Sequence, residues 1–484
     1  ADGQDGADGA DGFSCWDLNQ NGVGDIPDED INDDGVVDVL DCNATAGGDY
    51  QGAQLHKGYF TDHAYEGTKS CLNCHGPIGD EIINTGHFKW QGVASNIEGN
   101  ESGMHGKTDI LNNFCIAIKS NEGRCTQCHI GYGWKDASFD FSDPNNVDCL
   151  VCHDQTGDYA KAPTTAGLPV ENIGDSEVPL NLTLVAQSVA DNDGVPTIDN
   201  CIFCHARAGG DDNVKHGDLA MSLANTTKEF DVHMGTLDSG GEDFECVMCH
   251  AVKKSGENVL SHGIGGMPYH SVDEGEMRTC EGCHGDRYNK HSNTTVADII
   301  NFEGHDALAC QVCHIPAIAR HTSTKVEWYW KDAGEDRTNI PQQCVPPRDT
   351  YAKKKGTFVW ANNVRPTLRY FNGKYTKFLA GTNDQYTSLP AVLAEPVGDY
   401  TDPNAMIYPF KKMIGNQPAD ANNNTILVPH LFGPAGGPNF YWKTFDWNLA
   451  LEEGAAAAGQ TYTGAYEFVN TEMYLSVNHE VAPK

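Results

Sequence analysis

Apolar residues fall in short bursts along the 484-residue chain, and no run of 18 of them occurs that would span a bilayer as a helix. In the last third the bursts carry readable patterns. GTFVW at 356–360 and TLRYF at 367–371 read as strands, and DWNLALEEGAAAAG at 446–459 reads as a helix. Aromatic residues gather in the same region, as WYW at 328–330, FVW at 358–360, RYF at 369–371 and FYW at 440–442, the kind of group that packs a small core. Residues 326–484 are therefore expected to form a small α+β cap. Residues 46–325 show no comparable period. With 39% hydrophobic residues and 52 glycines in the chain, they predict short helices and loops rather than an ordinary apolar core.

What replaces that core is written in the cysteines. The pattern C-x-x-C-H occurs at 71, 125, 149, 201, 246, 280 and 310, and its seven copies use fourteen of the eighteen cysteines. A lone C-x-x-C also opens zinc sites and redox dithiols, but neither requires histidine directly after the second cysteine. Here histidine follows every time. Covalent c-type haem explains the pattern, because two cysteines attach the macrocycle and the next residue brings its imidazole to the iron.

Seven covalent haems c are thus expected. They attach through Cys71/Cys74, Cys125/Cys128, Cys149/Cys152, Cys201/Cys204, Cys246/Cys249, Cys280/Cys283 and Cys310/Cys313, with His75, His129, His153, His205, His250, His284 and His314 as proximal ligands. The expected fold class is a multihaem cytochrome c, mostly irregular, with short α-helices wrapped around a haem chain at 46–325 and the cap behind it. The spacing of the motifs is too irregular for a solenoid. The two shortest gaps, from 125 to 149 and from 280 to 310, predict neighbouring haems.

Thirteen other histidines are available for the second axial position. A second imidazole closes the iron and suits electron transfer, whereas an open position admits substrate. The first choices are His87, His216, His233, His305 and His479, followed by His105, His291 and His63. His56, His262, His270, His321 and His430 are weaker, with His430 expected to pack the cap.

The formal charge of −36, from 68 acidic and 32 basic residues, excludes nucleic acid as a natural partner. It suits redox partner proteins and extracellular metal-ion or mineral acceptors, or simply solubility. Haem attachment and the remaining cysteines point outside the cytoplasm, and a start at Ala1 without a leader reads as a processed, secreted product, with the periplasm as the alternative. Cys15 and Cys42 bracket one segment and are expected to pair; Cys115 and Cys344 are the candidate second pair.

That bracketed segment has its own chemistry. Residues 1–14 form a Gly-x-y-like tail, read as a linker or as a segment held by a neighbour. In 15–45, DLNQNGVGDIPD and DINDDGVVDVLD repeat one calcium-loop spacing, with a glycine at position 6 for the sharp turn. Two Ca2+ are expected, one held by Asp17, Asn19, Asn21, Asp25, Asp28 and the Val23 carbonyl. The other takes Asp30, Asn32, Asp34, Asp38, Asp41 and the Val36 carbonyl. With only Glu29 between the loops, the segment resembles thrombospondin type 3 calcium loops rather than an EF-hand pair.

At NNFCIAIKSNEGRCTQCHIGYGW, NVDCLVCHDQTGDY, VKHGDLAMSL, CQVCHIPAIARHTSTK, KKKGTFVWANNVRPTLRYFNG and TEMYLSVNHEVAPK the chain resembles the octahaem tetrathionate reductase family of multihaem c-type cytochromes, over roughly 55–484. The resemblance implies an eighth attachment motif shortly beyond the VAPK segment, where this sequence stops. It also implies a lysine-ligated active-site haem at the second motif, for which Lys107, Lys119, Lys135 and Lys161 are the candidates.

Two functions follow. One is an extracellular or periplasmic electron conduit, as a homo-oligomer or filament. The other is a reductase of tetrathionate, nitrite or hydroxylamine with one lysine-ligated or open haem. For the calcium module the expected outcome is direct: chelation leaves residues 15–42 rapidly cut by protease while calcium restores protection, and equal protection in both conditions would refute the assignment.

Overall fold

The computed structural model describes residues 50–483 except 193, 256–258, 266–275, 286–290, 292–293, 301–307 and 434–436. The expected calcium module with its Cys15–Cys42 bridge, the N-terminal tail, His270 and His305 all lie outside the described residues.

Two small antiparallel sheets, one of Gln91–Val93 with Met104–Gly106 and one of His250–Ser255 with Val259–Ile264 and Glu276–Met277, interrupt a stretch up to about residue 320 that is otherwise short helices joined by turns. The helices include α1 (Tyr50–Asp62), α2 (Lys69–Ile82), α3 (Leu182–Ser188) and α4 (Ile198–His205). Their shortness has local causes. Helix α2 contains Pro77, which cannot donate to the helix ladder, and its backbone leaves helical geometry at His75 (φ −107°, ψ 28°), within the first C-x-x-C-H motif. Helix α4 opens on a capping box formed by Thr197 and Asn200 and ends at His205, the last residue of the fourth motif. Helices α1 and α3 meet over Phe60, Val185 and Ala186, with Leu150 from the third motif beneath them.

From Thr324 onward the chain forms a nine-stranded mixed sheet. Its strands are β1 (Thr324–Tyr329), β2 (Tyr351–Ala352), β3 (Gly356–Ala361), β4 (Thr367–Phe371), β5 (Tyr375–Lys377), β6 (Ala391–Pro396), β7 (Met406–Asp420), β8 (Thr425–Ile426) and β9 (Tyr466–Ser476). The main order is β5-β6-β9-β7-β1-β3-β2, with β4 and β8 also paired to β7. Strand β7 runs antiparallel to β9 from Phe410↔Ser476 to Asp420↔Tyr466, and parallel to β1 at Ile414↔Glu327. Most of β7 is buried, as expected of a strand covered on both faces. The fold is therefore mixed, and the mostly irregular architecture expected from the sequence holds only for the haem-motif half.

The sheet is not a detachable cap. Trp328, Trp330, Phe358, Trp360, Phe410, Tyr441 and Trp447 share one core with Phe114, Ile116 and Val214 from the other half. Polar side chains stitch the same boundary. Fully buried Lys411 donates to the carbonyls of Val214 (2.5 Å) and Lys215 (3.1 Å) and to Thr324 Oγ1 (2.7 Å). Burial lowers its pKa to about 7. Asn121 donates to the Pro429 carbonyl and accepts from the Leu431 and Phe432 amides. Buried Lys325 lies 3.6–4.8 Å from the ring centres of Phe358, Trp328 and Trp360, and burial pulls its pKa well below the usual lysine value.

Helix α5 (Trp447–Ala458) covers the sheet. Asp446 caps it by accepting from the Asn448 and Leu449 amides, and Gly459 ends it in the left-handed region (φ 73°). Inside it, Gly454 permits a backbone approach that no side chain would allow: an added Cβ would lie 2.2 Å from the Val428 carbonyl oxygen and 2.4 Å from the His430 nitrogen. Gly454→Ala is accordingly expected to cost about 1–3 kcal/mol, an overpacking penalty, read as a lower urea midpoint. An unchanged midpoint would show that the helix is not pinned there.

Candidate haem site

One cavity of about 2320 Å³ runs through the molecule. It is lined by both cysteines of each of the first five motifs and by the histidines of motifs one, three, four and five. The sheet supplies part of its wall through Trp328, Trp330, Tyr375, Lys377 and the end of β9. Motifs six and seven lie outside it, with Cys280, Cys283 and Cys313 exposed; at the opposite end Cys74 of motif one is exposed as well.

The histidines are arranged in pairs. Ring centres lie 5.9 Å apart for His75 and His56, 6.5 Å for His153 and His262, and 6.1 Å for His205 and His87. The series continues with 6.3 Å for His250 and His479, 6.0 Å for His284 and His233, and 6.4 Å for His314 and His291. Two imidazoles on opposite sides of one metal, each with a metal–nitrogen bond of about 2.0–2.1 Å, place their centres roughly 6 Å apart. The residues present therefore fit a metal between two imidazoles at six of the seven motifs. Burial holds His153 at about pKa 4 and His205 at about 3, so both are neutral, the form that binds metal.

Of the expected distal residues, His87, His233, His479 and His291 stand opposite motif histidines. The others do not. His63 stacks on Tyr59 and contacts the Tyr59 carbonyl at 2.9 Å, and His105 is held by Asp109 at 2.6 Å. His216 lines the cavity, its pKa lowered well below the usual value by burial. His56 and His262, set lower from the sequence, occupy paired positions. His321 stacks on Phe230 at 4.0 Å, and His430 lies buried against Glu453 at 2.9 Å.

Motif two differs from the rest. His129 does not line the cavity; it is fully buried in an aromatic box of Phe88, Trp90, Trp134, Phe139 and Phe141, with ring centres 4.9–6.2 Å away. Its Nε2 lies 2.5 Å from the Phe88 carbonyl oxygen, and its Nδ1 has no partner. Burial pulls its pKa to about 3.

Comparison with known proteins points to cytochromes c. A family profile described as "Cytochrome c bacterial" matches residues 325–484. An uncharacterized protein from Archaeoglobus fulgidus is 25% identical over 241 residues, covering 40% of this chain and 74% of that protein. The crystal structure of octaheme cytochrome c from Shewanella oneidensis is 39% identical with a TM-score of 0.72, covering 86% of this chain and 87% of that one. The chain is a multihaem c-type cytochrome.

Within the cytochrome, the thiols show which motifs adjoin. Those of Cys71 and Cys149 lie close enough to couple electrostatically, as do Cys128 with Cys204, Cys201 with Cys246, and Cys280 with Cys310, and the Cys128 sulfur lies 3.9 Å from the Cys204 carbonyl oxygen. Weaker electrostatic coupling links Cys152 to Cys201 and Cys249 to Cys283. Motif one thus adjoins three, three adjoins four, four adjoins both two and five, and five, six and seven follow. The short gap from 280 to 310 joins neighbours as expected. Across the gap from 125 to 149 the backbone also brings motifs two and three side by side, through the Gly131–Val147 bridge and the Asp148 amide on the Ile130 carbonyl at 3.0 Å, while Cys128 of motif two couples to motif four and Cys149 of motif three to motif one.

The remaining polar groups sort themselves by contact. Lys161 is fully buried, paired to Asp148 at 2.9 Å and donating to the His129 carbonyl at 2.6 Å, so it braces motif two from behind. Lys107 lines the cavity with its Nζ 3.8 Å from the Trp90 ring centre; Lys119 and Lys135 do not line it. Lys215 and Lys377 also line it, each lowered to about pKa 8, chiefly by burial. Cys115 and Cys344 are both free thiols, so the candidate second disulfide is absent.

A strap from Val477 to Ala482 ties the last three motifs together. It carries His479 to motif five, sends the Val481 amide to Asp231, whose carboxylate also accepts from the His233 amide, and sends the Ala482 amide to the His314 carbonyl. Glu480 is anchored by the Ala319 and Arg320 amides and the Arg320 guanidinium.

The pairs predict their own test. In the ferric holoprotein, His56→Ala and His262→Ala should each convert one low-spin iron to high spin, whereas His63→Ala and His216→Ala should leave the spectrum unchanged. The reverse result would refute the pairing.

Proposed function

We propose that the cytochrome is an electron conduit of seven covalent haems, outside the cytoplasm, in the order one, three, four, five, six, seven, with motif two as a side branch on four. The observation that carries this reading is the continuous series of six imidazole pairs, linked by neighbouring thiols and exposed at both ends. Paired imidazoles close the iron to substrate and let it change oxidation state without changing ligands. Exposed ends suit redox partner proteins, extracellular acceptors, or a neighbouring copy in a filament. Two Ca2+ in the 15–42 loops belong to the same reading, as a module outside the electron path.

A second reading rests on motif two, a reductase of tetrathionate, nitrite or hydroxylamine. Its histidine is the one without an opposing imidazole among the described residues, and Lys107, which lines the cavity, stands over Trp90 of the same aromatic box. In this reading the six paired sites supply electrons to that branch.

Intact mass should show seven haems. Rapid oxidation of the fully reduced protein by a ferric chelate should then empty every haem in one continuous process. A haem fraction left reduced would break the proposed order. Turnover of the three anions or amines that is abolished by Cys125→Ala with Cys128→Ala, while ferric reduction survives, would assign the protein to the second reading.

A further inference from the structure

The imidazoles of the six pairs differ in what stands behind them. His56 and His250 each set Nδ1 2.8 Å from a backbone carbonyl, those of Gly52 and Gly265. His262 and His233 have carboxylates at 3.8 and 3.9 Å, beyond hydrogen-bond reach. His479 alone among these has a carboxylate in contact: Asp218 Oδ2 lies 3.3 Å from its Nδ1.

Asp218 is built into that position. It is 1% exposed, and the same Oδ2 accepts the amides of Asn478 at 2.7 Å and His479 at 2.9 Å. Its other oxygen is buried without a partner. Gly217, at φ +86°, brings it there: an added Cβ would lie 2.8 Å from both Ile318 and Lys411 side-chain atoms. Among the described residues its ion-pair partner is His479, while nearby Lys411 is taken up by two carbonyls and a hydroxyl. The carboxylate is therefore buried, fixed, and aimed at one imidazole.

We infer that Asp218 is a potential-setting residue, holding the iron between His250 and His479 at a lower reduction potential than the same ligands would give without it. The inference rests on the haem assignment proposed above. The chemistry is general. A carboxylate accepting the Nδ1 proton raises the basicity of the ligating nitrogen, and a buried anion beside the ligand favours the ferric ion over the ferrous, which carries one positive charge fewer. Motif five lies midway along the proposed path, so its potential controls exchange between motifs one to four and motifs six and seven. Asp218 does not ligate iron; it acts through His479.

The test is spectroelectrochemical titration of holoprotein variants. Asp218→Asn keeps an oxygen for the two backbone amides and removes the charge; Asp218→Ser is the second neutral variant. Both should keep every paired iron low-spin and move one reduction step upward, by at least a tenfold change in the ferric-to-ferrous ratio, which is about 59 mV for one electron. Asp218→Glu should return that step toward the wild-type value. Low-spin neutral variants with no displaced step would overturn the inference, as would a high-spin iron in both, which would reduce Asp218 to a structural prop. His479→Ala separates the two layers: it should make one iron high-spin, and an unchanged spectrum would remove the ligand assignment and the inference with it.

Discussion

An iron held by two imidazoles needs them roughly 6 Å apart on opposite faces of a flat macrocycle, a span no local secondary structure provides. That requirement organises the chain. Each attachment motif fixes one imidazole locally, and the partner comes from elsewhere, often from far along the sequence, as His262 does for His153 and His479 for His250. Helices need only be long enough to present a motif. The rest of the haem-bearing half is free to be turns, and its stability comes to depend on what fills the cavity.

The sheet answers a different need. Seven attachment motifs crowded into about half the chain leave little ordinary apolar core, and Trp328, Trp330 and Phe410 supply one at the cavity wall. Because Phe114, Ile116 and Val214 enter that core and Lys411 and Asn121 bridge to it, the sheet fixes the wall's position relative to motifs two and four. A scaffold that must keep redox centres at constant separation has good reason to be stiff on at least one side.

Much of this was legible in the residues, but unevenly. The motifs announce themselves because attachment chemistry demands contiguous residues. The strands around Phe358 and Tyr370 and the helix from Trp447 follow the periodicity at 356–371 and 446–459. Strand β7 escaped notice because Pro409 and Pro418 read as breakers, and its near-continuous burial has no alternating signature. The imidazole pairs were half legible: His87 and His479 were chosen, yet His56 and His262 were set aside, since an imidazole's partner is decided by tertiary approach. Nothing in CTQCH distinguishes His129 from its six counterparts; only the aromatic box around it does. The absence of a Cys115–Cys344 bond likewise could not be read from counting.

The strap that carries His479 also constrains how the protein can be made. A chain emerges from its N-terminus onward, so motifs five, six and seven are all available for attachment before Val477–Ala482 has appeared. Until then His250 lacks its opposing imidazole, Asp231 lacks the Val481 amide, and the His314 carbonyl lacks its donor. Unclaimed imidazoles such as that of His216, which lies in the same cavity, are competitors during that interval. Because these contacts come from residues 477–482, the pairing of His250 with His479 forms only after that stretch has joined the fold.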